Sequence, residues 1–86
     1  MYSITKLSGG QQILLGQKES VIKAIELAVG YANEYVKGSE HVKKLHEVFV
    51  REVGEKETMC PDGTVAEVSV WFPTVARSSQ SFWIVK

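Results

Sequence analysis

Two histidines, His41 and His46, and one cysteine, Cys60, are the side chains in this chain best suited to metal binding or nucleophilic chemistry. Their placement argues against both. A zinc-binding pair on a helix wants a spacing of four, and a pair on one strand face wants an even spacing; these two are five apart. Nothing in the spacing predicts that Cys60 or a carboxylate joins them. A nucleophilic cysteine needs a base and a lowered pKa. Cys60 instead precedes Pro61 in a turn, and reads as a partly buried structural thiol. The organisation of the chain brings together no paired carboxylates and no triad. The expectation is a protein that is not an enzyme, with no catalytic, metal or cofactor-binding residue assigned and no cofactor.

Leu7-Ser8-Gly9-Gly10-Gln11-Gln12 resembles the signature sequence of ABC-transporter ATPases, where a serine and backbone amides at a helix N-terminus hold a γ-phosphate. The resemblance covers six residues. Its companions, a G-x-x-x-x-G-K-[ST] phosphate loop and an apolar strand ending in Asp-Glu, are absent from the chain. The glycines fit a hairpin turn better, because they take the positive φ values that such turns need.

His41, Lys43, Lys44 and His46 form a small basic patch that Arg51 could extend, interrupted by Glu40, Glu47 and Glu52. A nucleic-acid surface shows a clear Lys/Arg excess, often with exposed aromatics. Here ten basic residues balance ten acidic ones. A nucleic-acid-binding or associated regulator using Lys43, Lys44, Arg51 and Arg77 is therefore the alternative reading, and the neutral balance argues against it. The same neutrality removes self-repulsion and eases self-association.

Eighty-six residues suffice for one small domain with a modest core. An apolar fraction of 44% with 23% charged residues is ordinary globular composition. One cysteine excludes an intramolecular disulfide. No signal peptide is visible at Met1–Lys6, and no apolar run approaches about 18 residues, so a cytoplasmic protein without a membrane span is expected.

Lys18–Lys37 is the element around which the rest is organised. At helical period, Val21, Ile22, Ala24, Ile25, Leu27, Ala28, Val29, Tyr31, Ala32, Tyr35 and Val36 fill one broad arc. That width suits a helix lying across a sheet. Glu19 and Lys23 would support it as an i,i+4 pair, and Gly38 would cap its end. Gly30 falls on the solvent arc, by drift or because another backbone approaches there.

Alternation predicts strands at Tyr2–Leu7, Gln12–Leu15, Thr64–Phe72 and Ser81–Lys86, with Gly16 breaking the second. Turns are predicted at Ser8–Gln11 and Pro61-Asp62-Gly63. Residues 39–53 read as a short helical or irregular passage followed by a strand at about His46–Val53, or else as a second helix. The order is ββαβββ or ββααββ. This is an α+β domain in which one long amphipathic helix covers one face of a mostly antiparallel sheet.

One helix covers one face only. If Phe72, Phe82 and Ile84 are core, then Val65, Trp71, Trp83 and Val85 form an apolar patch on the other face, unless a loop or residues 39–53 pack over it. Tryptophan is enriched at interface hot spots, and exposed patches mark contacts. The last strand, being short and terminal, is a candidate edge open to strand addition. The function expected is a non-enzymatic protein-interaction module, such as a regulator, inhibitor or virus-encoded accessory protein. It would act through a sheet face or edge strand on a protein partner, and would be prone to self-association as a homodimer.

Overall fold

The computed structural model describes residues 1–37, 47–54, 60–72 and 79–86. Five strands and one helix follow in the order β1 (Tyr2–Ser8), β2 (Gln11–Lys18), α1 (Val21–Lys37), β3 (Glu47–Glu52), β4 (Thr64–Trp71) and β5 (Ser79–Val85). This is the ββαβββ order. All four strand pairings are antiparallel, and the sheet order is β2-β1-β5-β4-β3.

The turn chemistry works as residue types demand. Gly9 and Gly10 hold φ of 59° and 80°, and Ser8 pairs with Gln11 across a two-residue turn. The glycine pair thus closes a hairpin and does not open a helix, which disposes of the ATPase-signature resemblance. Gly63 holds φ of 83° at the end of Pro61-Asp62-Gly63. The Thr64 amide and hydroxyl both donate to the Pro61 carbonyl, at 3.2 and 2.6 Å.

α1 starts at Val21, three residues later than the apolar periodicity suggests. Ser20 is the reason. Its Oγ accepts the Lys23 amide at 3.1 Å, an N-cap, while residues up to Lys18 remain in β2. Glu19 therefore lies outside the helix, and no i,i+4 pair with Lys23 supports it. Gly38 lies outside the described residues, as do Arg77 and the segment holding His41, Lys43, Lys44 and His46. The strand expected near His46–Val53 is β3, so the second-helix alternative fails over Glu47–Glu52.

The helix meets the sheet along a ridge of small residues. Ala24, Ala28 and Ala32 are fully buried at successive i,i+4 positions, followed by Val36. Alanines let the helix backbone come close, so the larger flanking side chains (Ile25, Leu27, Tyr31, Tyr35) splay around the contact half-buried. The predicted apolar arc is too wide at one edge: Ile22 is 68% exposed. Under the ridge lie Ile4, Ala66, Val68, Val70, Phe72, Phe82 and Ile84. Burying each of the larger of these contributes about 1.5–3 kcal/mol. Tyr35 closes the far end, its ring tilted 52° against Phe72 at 6.4 Å.

Gly16 does not break β2. It sits inside the strand opposite Ile4, next to a bulge that leaves Leu15 between the pairs Ile4–Gly16 and Thr5–Leu14. A Cβ on Gly16 would meet the Tyr31 hydroxyl at 2.8 Å and Leu27 Cδ2 at 3.1 Å. Close approach, which one reading assigned to Gly30, occurs here instead. Gly30 has open space around the position of a Cβ.

Candidate functional site

In an antiparallel sheet, directly opposed residues share a face. Ile4, Ile84 and Ala66 are opposed in turn, so their row faces α1. The next row, Arg51–Glu67–Trp83–Thr5–Leu14, runs unbroken across all five strands and faces away from the helix. On the same face, Phe49, Ser69 and Ser81 form the following row, and Glu47 and Trp71 the one beyond. No described element covers this second face.

One carboxylate organises its centre. Glu67 Oε1 accepts from Arg51 Nε at 2.8 Å, and Glu67 Oε2 accepts from Trp83 Nε1 at 3.0 Å. Both oxygens are thereby engaged by neighbours on the flanking strands, one charged and one not. The Glu67 side chain is only 14% exposed, against 45% for Arg51. The pair is thus partly screened from water and has two directional bonds to one carboxylate. Arg51 Nη2 also approaches Cys60 Sγ at 3.8 Å. Thr5, 7% exposed, continues the row and accepts from Gln12 Nε2 at 2.9 Å. Among the described residues no buried side-chain nitrogen or oxygen lacks a partner.

The four expected patch residues meet different fates. Trp83 faces away from the helix and is half-buried, held by Glu67. Trp71 shares that face and is 41% exposed. The Ser69–Ser81 row separates the two rings, so they do not form one contiguous aromatic cluster. Val85 lies on the same face opposite Ser3. Val65 leaves the set. The β4–β5 register shifts between Thr64 and Ala66, Thr64 takes the place opposite Val85, and Val65 packs against the buried cluster. Strict alternation cannot anticipate a bulge.

Exposed apolar side chains that the sequence reading did not assign complete the face. Leu7, Leu14 and Phe49 are each at least half exposed. Their period-two pattern was visible, but which strands lie beside which was not. The last strand is the clearest correction. β5 is not an edge; it lies between β1 and β4 at the centre of the sheet, and the edges are β2 and β3. The signal was present, since Phe82-Trp83-Ile84-Val85 is apolar on both faces, as an interior strand tends to be.

Of the nucleic-acid alternative, only Arg51 among Lys43, Lys44, Arg51 and Arg77 is described, and its charge is turned on Glu67. Cys60 lines a groove of about 360 Å3 with Val53, Asp62, Thr64 and Lys86. Among the described residues no cluster of three metal-ligating side chains occurs, and no helix is long and apolar enough to cross a membrane.

Fold and face together define a small α+β domain: one helix on a five-stranded antiparallel sheet whose opposite face is uncovered by any described element. Comparison with known proteins adds no relative, since no family model, curated protein or solved structure matches the chain.

Proposed function

We propose that this chain is a non-enzymatic protein-interaction module that receives a protein partner on the sheet face opposite α1. The observation that carries this reading is the composition of that face. Leu7, Leu14, Phe49 and Trp71 are exposed there around a centre in which Arg51 and Trp83 both donate to Glu67. Apolar anchors around a preorganised polar core are what protein interfaces use. Solvated faces of antiparallel sheets are mostly polar, and this one carries four exposed apolar side chains. A regulator or inhibitor would use such a face by occupying a partner's surface.

The test compares the unmodified chain with Leu14→Ser and Trp71→Ser for capture of partners from the native host. Ile22→Ser serves as a control on the exposed side of the helix. Loss of a specific partner with both face variants and retention with the control is the expected result. A partner that is lost on nuclease treatment would transfer the reading to nucleic acid. Capture indifferent to both face variants would end it.

A further inference from the structure

We propose that β3 is a self-pairing edge: two copies join antiparallel along Glu47–Glu52, about a twofold axis at Phe49, into one continuous ten-stranded sheet. This does not depend on the open face having a partner, because it rests on the edge of the sheet.

The sheet has two edges, and they differ. β2 carries the Leu15 bulge and Gly16, and a bulged edge is poor at accepting another strand. β3 is regular, in register with β4 from Glu47–Trp71 to Glu52–Ala66. Beyond it the Val53 amide donates to the Val65 carbonyl at 3.0 Å. Hydrogen-bonded pairs alternate along an antiparallel ladder. The backbone groups of Glu47, Phe49 and Arg51 therefore turn toward β4, and those of Val48, Val50 and Glu52 turn outward. Among the described residues no strand meets them.

A twofold axis at Phe49 places Val48 opposite Val50 of the second copy. Both residues have outward backbone groups, so each pair exchanges two hydrogen bonds and the symmetric contact has four. Phe49 then faces its own copy at a non-hydrogen-bonded position, where side chains approach most closely. Glu47 falls opposite Arg51 of the second copy, twice. Glutamate and arginine on an edge ordinarily repel strand addition. Here their spacing makes the edge complementary to itself, and each Arg51 lies between Glu67 of its own chain and Glu47 of the other.

Neighbouring registers lose this match. An axis at Val50 sets Val48 against Glu52, and an axis at Arg51 brings two guanidinium groups together. Side-chain faces agree as well. Val48 and Val50 lie on the helix side, yet Val50 is 49% exposed, because α1 reaches β3 least among the strands. The Val48–Val50 pairs of the dimer cover that surface, with both helices on one side of the sheet. The zero net charge adds no repulsion between copies. One strand pair is a small contact, so the affinity is of roughly micromolar order or weaker.

Light scattering on the unmodified 86-residue chain, from dilute solution to about 1 mM, tests the association. The mass should rise from 9.6 kDa toward twice that value. Glu47→Lys, which sets lysine against Arg51, should raise the dissociation constant about tenfold. Register is read by oxidative cross-linking in a Cys60→Ser background. Phe49→Cys should form an intermolecular disulfide. Val50→Cys should not, because its two copies lie beyond the roughly 7 Å that a disulfide spans. A constant 9.6 kDa throughout, an unchanged constant for Glu47→Lys, or preferential cross-linking at Val50→Cys would each overturn the proposal. Circular dichroism checks every variant. Should a cysteine variant not fold, the unmodified chain and Glu47→Lys, an exposed change, still decide.

Discussion

The Tyr31 hydroxyl donates to the carbonyl oxygen of Leu15 at 2.9 Å and stands where it would lie 2.8 Å from a Cβ on Gly16. The bulge in β2, the missing side chain at Gly16 and the phenol on α1 are one device. The bulge turns a carbonyl toward the helix, the hydroxyl satisfies it, and glycine makes room for the ring. Gly16→Ala should destabilise the domain by about 1–3 kcal/mol through overpacking, since Leu27 Cδ2 blocks the same space at 3.1 Å. Tyr31→Phe should cost about 1 kcal/mol for the lost hydrogen bond. In the double variant Gly16→Ala should cost less than it does alone, because the closest atom is gone. Urea denaturation of the four proteins measures this coupling, and strict additivity would show that ring and glycine act independently.

Glu67 is the second test. Glu67→Ala should cost about 1–2 kcal/mol, because it strips the bonds from Arg51 and from Trp83 Nε1 together. Glu67→Gln should cost less, since a carbonyl oxygen can still accept from one of them. The Trp83 indole proton resonance in NMR reports the bond directly. It should move toward the position of a water-exposed indole in Glu67→Ala, and an unmoved resonance would contradict the assignment.

The two faces of the helix respond oppositely to added bulk. Gly30 is helical and exposed with nothing within 4 Å of a Cβ, so Gly30→Ala should stabilise by roughly 0.4–1 kcal/mol. Ala28 is fully buried in the ridge against the sheet, so Ala28→Leu should destabilise by about 1–3 kcal/mol or more. Thermal melts of both variants check the signs.

Adjacent aromatics on one strand end should differ sharply. Phe72→Ala empties a fully buried site and should cost about 3–5 kcal/mol. Trp71→Ser changes a ring that is 41% exposed on the face away from the helix, and should cost much less, leaving the fold intact. If Trp71→Ser unfolds the domain, that ring is core and the interaction reading of the face loses an anchor.

The residues show which features are local. Period-two alternation at Ala66, Val68, Val70 and Phe72 against Glu67, Ser69 and Trp71 was enough to place β4 and its buried face, because side-chain direction in a strand depends only on parity. Gly9-Gly10 and Pro61-Asp62-Gly63 announced their turns through backbone freedom, which is a property of the residue itself. The long helix followed from its period. Its start did not, because the competition between the Ser20 cap and the extended pairing of Gln17 and Lys18 with β1 is settled by a partner strand.

Strand order is the converse case. Each strand's pattern says that one face is apolar, and it does not say which neighbour completes the ladder. Only the assembled sheet puts β5 between β1 and β4 and makes β3 an edge among the described strands. Only it aligns Arg51, Glu67 and Trp83, residues sixteen apart in sequence, into one hydrogen-bonded row. The chain by itself determined a helix, strands, turns and which residues prefer burial, since those are set within a few residues of one another. The face away from the helix, its polar centre and the place of β3 at the sheet edge were decided by long-range pairing, whose energy belongs to pairs of strands and to no single stretch of sequence.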